Sequence, residues 1–278
     1  MKRNYYFLIT LILLVTFFYI PRANAYTGFG HNLVRIFASD ATETPLRIIG
    51  NIFEKEHPQT HISYDFTAPG VFYLLNIKGD VLPPDIYITS DEKYQNDVME
   101  LADINSYKVF AYNHLVAVTP FNNPAGVNAS NLISKLMDKN VSLAVASPKL
   151  SPAGEYTMNM FRAINKNTPG AFNEIVGHAK QLLDPALVMS LLKNRKTDIG
   201  IIYASQAVEL QREGVRINVI PIPMKYNTKA VFAISVFKKF TGHLVTPRKA
   251  RHTKEIEALL LSKRGQMILK AWGFSPVK

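Results

Sequence analysis

Short apolar segments alternate with amphipathic segments along most of the chain, and this alternation limits the folds open to the sequence. Residues 34–38 have the length and composition of a buried strand. Residues 42–56 follow, with Leu46, Ile49 and Phe53 at helical spacing. Strands and helices that alternate in this way pack as helices on the faces of a sheet. The pattern therefore predicts an α/β fold with mostly parallel strands.

The same criteria predict two cycles of elements. Strands are predicted at residues 34–38, 61–66, 85–88, 115–118, 141–145, 199–202, 218–220 and 230–236. Helices are predicted at residues 42–56, 71–77, 92–101, 132–137, 153–165, 185–194, 253–261 and 265–272, with a further helix opening at Tyr203. No repeat or low-complexity linker separates the cycles. They form either one large sheet or two lobes joined by extended crossovers, and in the second case a ligand would lie between the lobes.

The N-terminus has the features of an export signal. Lys2 and Arg3 precede an apolar run over residues 5–20, and Ala23-Asn24-Ala25 supplies small residues two apart. We predict that residues 1–25 are a cleaved signal peptide and that the mature chain begins at Tyr26. The alternative is a retained membrane anchor, because 16 apolar residues are only slightly short of the span of about 20 that a bilayer requires.

Composition narrows the classes of protein further. The chain has no Cys, which excludes disulfides, thiolate metal sites and a lipoprotein anchor. An exported, cysteine-free chain with a formal net charge of +11 suits a Gram-negative periplasm and predicts no nucleic-acid partner. The Lys and Arg residues are scattered. They are either solvated surface charge or a surface that attracts anionic ligands, lipid headgroups or an acidic partner.

Motifs that would indicate catalysis are absent from the sequence. There is no Gly-x-Ser-x-Gly, no His-Glu-x-x-His and no glycine-rich phosphate loop, so we predict that the protein is not an enzyme. The histidines show no metal-ligand spacing, which predicts scattered surface or core residues, no metal site and no cofactor. They stand at positions 31, 57, 61, 114, 178, 243 and 252.

Several segments, taken in order, resemble a known family. They are residues 37–39, 53–56, 84–93, 113–118, 152–156, 200–205 and 262–274. On these segments the mature chain is similar to the molybdate-binding proteins of ABC importers, within the wider class of two-lobed periplasmic solute-binding proteins.

The resemblance implies a fold and a function. Each lobe would be a mostly parallel sheet flanked by helices, with two crossover strands near residues 112–115 and 225–230 as the hinge. The first lobe would comprise residues 26–111 and 225–278, and the second residues 112–224. The protein, a monomer, would capture a small anion such as molybdate or tungstate between the lobes and pass it to the membrane subunits of an ABC importer.

The resemblance also implies which residues would bind the anion. Family members hold a dianion with hydroxyls from the first two loops, amides at two helix starts and a tyrosine hydroxyl, a donor set that suits negative charge. The amide of Ala153 and the hydroxyl of Tyr203 match. The first-loop serine falls on Ala41, with Ser39 and Thr42 close by.

Two further positions depart from the family. The second-loop serine falls on Pro69, beside Gly70, and the later amide donor falls on Pro185, beside Ala186. Proline has no N–H, so with Ala41 three of the five donors are absent or displaced. Each lost hydrogen bond to a charged ligand costs roughly 1.5 to 3 kcal/mol. We therefore expect weak molybdate binding and a preference for a larger or less highly charged anion.

Other interpretations of these residues stay open. Asp40 stands in the first loop, where a carboxylate at about 4 to 6 Å from a dianion would repel it. Ser39 and Thr42 suit a helix N-cap, Asp91 suits another, and Tyr203 suits packing within its lobe. The lost donors also motivate an alternative function, a periplasmic sensor or host-interaction factor that binds a different metabolite on the same fold.

Overall fold

The computed structural model describes residues 33–78, 84–99, 102–240 and 243–277. The predicted signal peptide, residues 1–25, lies outside these ranges, as does the predicted cleavage site. Within the described ranges, no helix has the length and apolar character needed to cross a membrane.

The described chain alternates strands and helices, as the sequence predicts. The strands are β1 (Leu33–Ala38), β2 (His61–Phe66), β3 (Ile86–Thr89), β4 (Ala102–Asn113), β5 (Leu115–Pro120), β6 (Leu143–Ala146), β7 (Lys180–Leu182), β8 (Ile199–Tyr203), β9 (Ile217–Pro221), β10 (Ala230–Phe240), β11 (His243–Leu244) and β12 (Ser275–Pro276). The helices are α1 (Glu43–Glu56), α2 (Pro69–Lys78), α3 (Glu92–Met99), α4 (Leu132–Met137), α5 (Pro152–Asn167), α6 (Ala171–His178), α7 (Pro185–Lys193), α8 (Ala204–Arg212), α9 (Pro247–Leu261) and α10 (Lys263–Ala271). A 3₁₀ turn, Asp40–Thr42, precedes α1.

The strands form two separate sheets. The first has the order β12-β4-β10-β3-β1-β2, with β11 beside β10, and the second has the order β7-β6-β8-β5-β9. The chain passes from the first sheet to the second at His114 and returns between Pro221 and Ala230. Two α/β units are thus joined by two crossings, which is the two-lobed arrangement rather than one large sheet. The lobe boundaries at residues 111/112 and 224/225 stay predictions.

Both sheets are mixed, which corrects the expectation of mostly parallel strands. β1 pairs in parallel with β2 and β3, and β6 pairs in parallel with β7 and β8. In contrast, β10 runs antiparallel to β3 and β4, and β5 runs antiparallel to β8 and β9. The chain leaves the first lobe along β4 and comes back along β10. Because β4 leaves the first lobe and β10 returns beside it, these two strands run in opposite directions.

The first helix shows how the sequence pattern becomes a core. Leu46, Ile49 and Phe53 of α1 are all at most 2% exposed and pack with Val34 and Ile36 of β1 in one hydrophobic cluster. Burial of each such side chain contributes about 1.5 to 3 kcal/mol. This packing fixes α1 on the first sheet, so that the 3₁₀ turn at its head lies at the end of β1.

One helix begins earlier than the sequence predicts. α9 starts at Pro247, six residues before the predicted start, because Thr246 is its N-cap and the Thr246 hydroxyl accepts a hydrogen bond from the Lys249 amide at 3.4 Å. Proline at the first helical position suits such a start, since that N–H would be unpaired in any case. α9 then runs to Leu261 and packs against α1 and α10.

Candidate functional site

The two lobes meet where the loops after β1 and β3 face the second lobe. Ser39 and Asp40 follow β1, and Ser90 follows β3. Opposite them stand the N-termini of α7 and α8 and the side chains of Tyr156 and Tyr203. In α/β folds the carboxyl ends of parallel strands are where ligands bind, so these loops are the candidate site.

Asp40 is the central charged residue of this interface. Its Oδ2 accepts hydrogen bonds from the Ala186 amide and from Gln206 Nε2, each at 3.1 Å. Its Oδ1 accepts from the Ala41 amide at 2.9 Å and lies 3.4 Å from the Ser39 hydroxyl. One carboxylate of the first lobe therefore receives two donors from the second lobe.

The Ala186 amide belongs to the first turn of α7, where backbone N–H groups lack intrahelical acceptors. Asp184 is the N-cap, and its Oδ1 accepts from the Leu187 amide at 3.0 Å. Pro185 occupies the first helical position and donates nothing. The positive end of α7 thus already faces two carboxylates, Asp184 from its own lobe and Asp40 from the other.

These surroundings change the acidity of Asp40. Burial, which is the largest cause, and the charge of Asp184 together raise the pKa of Asp40 to about 7. Hydrogen bonds from Ala41, Ala186 and Gln206 act in the opposite direction but are outweighed. Asp40 is therefore a carboxyl group that changes charge near neutral pH.

A second set of contacts surrounds Ser90, which is fully buried. The Tyr203 hydroxyl donates to Ser90 Oγ at 3.0 Å, and the Tyr156 hydroxyl donates to the Ser90 carbonyl at 2.9 Å. Burial raises the pKa of both tyrosines, so both hydroxyls keep their protons and remain donors. Tyr203 also packs edge-on against Phe232 of β10, which corrects the alternative that it packs only within its own lobe.

The first turn of α5 packs closely against the loop that precedes it, and the start of α2 packs against the same loop. A Cβ atom at Gly154 would lie 2.4 Å from the carbonyl oxygen of Ser147, and one at Gly70 would lie 2.8 Å from Leu150 Cα. The Gly70 amide donates to the Leu150 carbonyl at 3.0 Å, which joins the start of α2 to the loop before α5. Ala153, in the first turn of α5, is buried beside this contact.

Some predicted site residues have local roles instead. The Thr42 hydroxyl donates to the Ser39 carbonyl at 2.6 Å, and neither Thr42 nor Ser39 caps α1 with its side chain. Both are buried at the interface. Pro69 and Pro185 begin α2 and α7, while Asp91 does cap α3, since its Oδ1 accepts from the Lys93 amide at 2.8 Å.

Ala41 also lies at the interface. Its carbonyl accepts from the Ser205 hydroxyl at 3.3 Å, and the same hydroxyl accepts from Asn113 Nδ2 at 2.8 Å. Of the predicted residues, the structure therefore joins Ala41, Gly70, Ala186 and Tyr203 to the opposite lobe by hydrogen bonds.

Sequence reasoning missed Ser90, Tyr156 and Gln206 as interface residues. Ser90 and Tyr156 stand in segments that resemble the family, so attention to buried polar residues there would have found them. Gln206 had no such signal. Its Oε1 accepts from the Tyr203 amide at 3.1 Å, and this contact directs its amide nitrogen towards Asp40.

Beside Asp40 the interface opens into a cleft of about 390 Å³ between α1 and the helices α7 and α8. Two ion pairs line it: Arg47 with Glu43 at 2.9 Å and Lys193 with Glu213 at 2.6 Å.

Glu209 adds another carboxyl group to the cleft and accepts from the Thr44 hydroxyl of the opposite lobe. Burial raises the pKa of Glu209 above its ordinary value. The cleft thus combines cations, hydroxyl and amide groups with four carboxyls, two of them in ion pairs and two, Asp40 and Glu209, with raised pKa values.

Similarity to known proteins agrees with this architecture. A model of the bacterial extracellular solute-binding protein family matches residues 34–275. The match covers most of the chain, and the chain belongs to this family. Its members are binding proteins that act outside the cytoplasm, in the periplasm or extracellularly, and the two-lobed fold is that of the solute-binding components of ABC importers.

Three solved structures share the fold. The periplasmic molybdate-binding protein of Azotobacter vinelandii has 14% identity and a TM-score of 0.71, covering 88% of this chain and 100% of that one. The sulfate-binding protein SubI of Mycobacterium tuberculosis has 14% identity and a TM-score of 0.74, covering 89% and 88%. PEB3 of Campylobacter jejuni, solved with L-phospholactate, has 15% identity and a TM-score of 0.68, covering 88% and 100%.

Proposed function

We propose that this protein captures a small organic anion, larger than molybdate, in the cleft between its lobes and presents it to the membrane subunits of an ABC importer. The observation that carries the proposal is the Asp40 carboxylate, which accepts the Ala186 amide at the head of α7. The Asp40 carboxylate thus accepts the hydrogen bond that an oxygen atom of a bound oxyanion would otherwise accept.

A small dianion such as molybdate would meet two costs here. It would have to displace Asp40 from the Ala186 amide, and it would then lie within a few ångströms of the Asp40 and Asp184 carboxyls. Like charges at about 4 Å repel by roughly 4 kcal/mol at the effective dielectric constant near a protein surface. A ligand whose own hydroxyl or protonated oxygen can donate to Asp40 avoids this repulsion.

The cleft itself favours a larger solute. A volume of about 390 Å³ falls in the range of roughly 300 to 1,000 Å³ found for pockets that hold organic ligands. Arg47 and Lys193, each paired with a glutamate of the cleft, supply positive charge for an anionic group, and Thr44 and Asn51 supply polar contacts for the rest of the molecule. The phospholactate-bound relative, PEB3, shows that this fold accepts an organic phosphate, which supports the proposed ligand class.

Calorimetry on the purified protein at fixed ionic strength tests the proposal. The panel comprises molybdate, tungstate, sulfate, phospholactate and other phosphate monoesters. We expect an organic anion to bind and the inorganic dianions to bind at least about 100-fold more weakly. Tight binding of molybdate would show that Asp40 leaves the Ala186 amide at little cost and would overturn the proposal.

We further propose that export removes residues 1–25 before the protein functions as a monomer. The support is the Ala23-Asn24-Ala25 sequence behind the apolar run, together with the extracellular character of the family. N-terminal sequencing of periplasmic material should begin at Tyr26. Recovery of the intact N-terminus in the membrane fraction would instead identify a retained anchor.

We also propose that the lobes, residues 26–111 with 225–278 and residues 112–224, rotate about the two crossings. The hinge residues are 112–115 and 225–230, which include the points where the chain passes from one sheet to the other. X-ray scattering with a saturating phosphate monoester that binds in calorimetry should give a smaller radius of gyration. An unchanged radius beside clear binding would contradict the hinge.

A further inference from the structure

Two histidines and a glutamate that lie far apart in the sequence meet on the first lobe. His57 follows the last residue of α1, and His252 and Glu255 stand one turn apart on α9. Their candidate ligand atoms all lie within 4.8 Å of one another. These two histidines are therefore not scattered in the fold, contrary to the sequence prediction, although no sequence motif joins them.

The distances suit a small cation. His57 Nε2 lies 3.7 Å from Glu255 Oε2, and the two imidazole rings have centroids 5.3 Å apart. Tetrahedral zinc bonded at about 2.0 to 2.2 Å holds its ligand atoms roughly 3.3 to 3.6 Å apart. The observed separations, at most 4.8 Å, exceed that spacing by no more than about 1.5 Å, a distance that side-chain rotation can supply.

Two further features favour metal binding by these groups. Nδ1 of His252 lies 3.2 Å from the Thr60 hydroxyl, and a proton on Nδ1 leaves the Nε2 lone pair for a ligand. Glu255 Oε2 is buried and has no hydrogen-bond partner among the residues that the structure describes. A buried carboxylate oxygen without a donor is costly unless a cation satisfies it.

We infer that His57, His252 and Glu255 form a binding site for a divalent transition-metal ion, with zinc the best match. Two imidazoles and one carboxylate are a common zinc ligand set, and the fourth position is left to water. The metal would join the end of α1 to α9.

This site is separate from the solute cleft. α1 has 14 residues and is therefore about 21 Å long, and the cleft extends along it from Glu43 to Asn51, whereas the histidine pair lies beyond its C-terminus. The inference does not depend on the identity of the solute. The metal site would therefore stand even if the proposed solute-binding function were wrong.

Titration of the metal-free mature protein with Zn²⁺ against a chromogenic chelator tests the site. We expect one Zn²⁺ per chain, and visible Co²⁺ absorption typical of a four-coordinate site. Glu255→Gln and His57→Gln should each weaken Zn²⁺ binding by tenfold or more. Thr60→Val removes only the contact to His252, and it should weaken binding by about tenfold, as loss of such supporting contacts does.

His178→Gln is the matched control, since His178 lies on α6 of the other lobe and contacts the Glu174 carbonyl. This variant should bind Zn²⁺ like the wild type. Circular dichroism and thermal unfolding in the absence of metal identify any variant that fails to fold, and Zn²⁺ should raise the unfolding temperature of wild type but not of Glu255→Gln. Absence of stoichiometric binding by wild type, or equal binding by wild type and Glu255→Gln, would overturn the inference and leave His57 and Glu255 as an ordinary ion pair.

Discussion

The two ends of the lobe interface close by different chemistry. At the end we call the carboxylate end, Asp40 accepts hydrogen bonds from Ala186 and Gln206. At the tyrosine end, Ser90 accepts hydrogen bonds from Tyr156 and Tyr203. In these two sets of contacts the second lobe donates and the first lobe accepts, but only the carboxylate end has an acceptor that titrates near neutral pH.

The two ends should therefore have different functions: the tyrosine end holds the lobes together, and the carboxylate end selects the ligand. The tyrosine end joins the lobes through neutral groups whose strength does not depend on pH or on the charge of a ligand. The carboxylate end places a negative charge at a helix N-terminus, the position that an anionic ligand would also occupy. Changes at the carboxylate end should therefore alter ligand choice and pH dependence, and changes at the tyrosine end should alter stability alone.

The largest expected effect is on ligand choice at the carboxylate end. Asp40→Ser removes the charge, frees the Ala186 amide and adds a hydroxyl beside it. Affinity for sulfate or molybdate should rise by roughly 100-fold or more, because a hydrogen bond to a charged group is worth about 1.5 to 3 kcal/mol and a repulsion is lost as well. Calorimetry with each anion measures the change.

Glu174→Gln is the control for overall charge. Glu174 is exposed on α6 and lies outside the cleft, so its removal changes net charge by the same amount. Its affinity for the dianions should equal that of wild type. If Asp40→Ser and Glu174→Gln behaved alike, the effect would belong to net charge and the carboxylate end would have no special role.

A smaller effect is expected on stability as pH changes. The pKa of Asp40 is about 7 in the folded protein against an ordinary value of 3.8, so between these two values the folded state binds more protons than the unfolded state and stability falls as pH rises. Between pH 5 and pH 8 wild type should lose roughly 2 to 3 kcal/mol through this group. Asp40→Asn should lack this loss. Urea unfolding of both proteins at the two pH values measures it, and parallel pH profiles would contradict the assignment.

The tyrosine end should respond differently to a matched change. Tyr203→Phe removes the donor to Ser90 Oγ, and we expect a loss of about 1 to 3 kcal/mol because the partner is buried. The loss should be the same at pH 5 and pH 8, since both groups are neutral throughout. A pH-dependent loss would show that the two ends are coupled.

The smallest effect is expected at the exposed rim of the interface. Lys93 of α3 and Glu155 of α5 form an ion pair at 3.1 Å. Lys93→Gln should cost less than about 1 kcal/mol, and 1 M salt should abolish the difference, because exposed pairs are weak and screened. Unfolding in low and high salt provides the comparison.

At each end the sequence analysis named some of the residues but not the contacts that join them: Tyr203 at the tyrosine end, and Asp40 and Ala186 at the carboxylate end. Tyr203 and the segments holding Ser90 and Tyr156 carry the resemblance to the family. The position of Asp40 was visible, and its repulsion of a dianion was expected. Its contact with Ala186, 146 residues away, depends on how the two lobes pack together, and no local pattern encodes that.

The missed strand β4 has a different cause. Its residues, 102–113, mix polar and apolar side chains without strict alternation, and its pairing with β10 contains register shifts, including one between Phe232 and Ala233. Each bulge changes the side of the sheet that following residues face. A periodicity of two is therefore lost, although the regular strand β2, at the opposite edge of the same sheet, was predicted at its observed bounds.

The Asp40 carboxyl accepts a hydrogen bond from the Ala186 amide at the head of α7, and nuclear magnetic resonance can follow both partners. The Asp40 carboxyl carbon and the Ala186 amide are monitored from about pH 2.5 to pH 9 in the mature protein. We expect both signals to titrate with one midpoint near 7. An Asp40 midpoint near 3.8, with an Ala186 amide that does not respond, would contradict it.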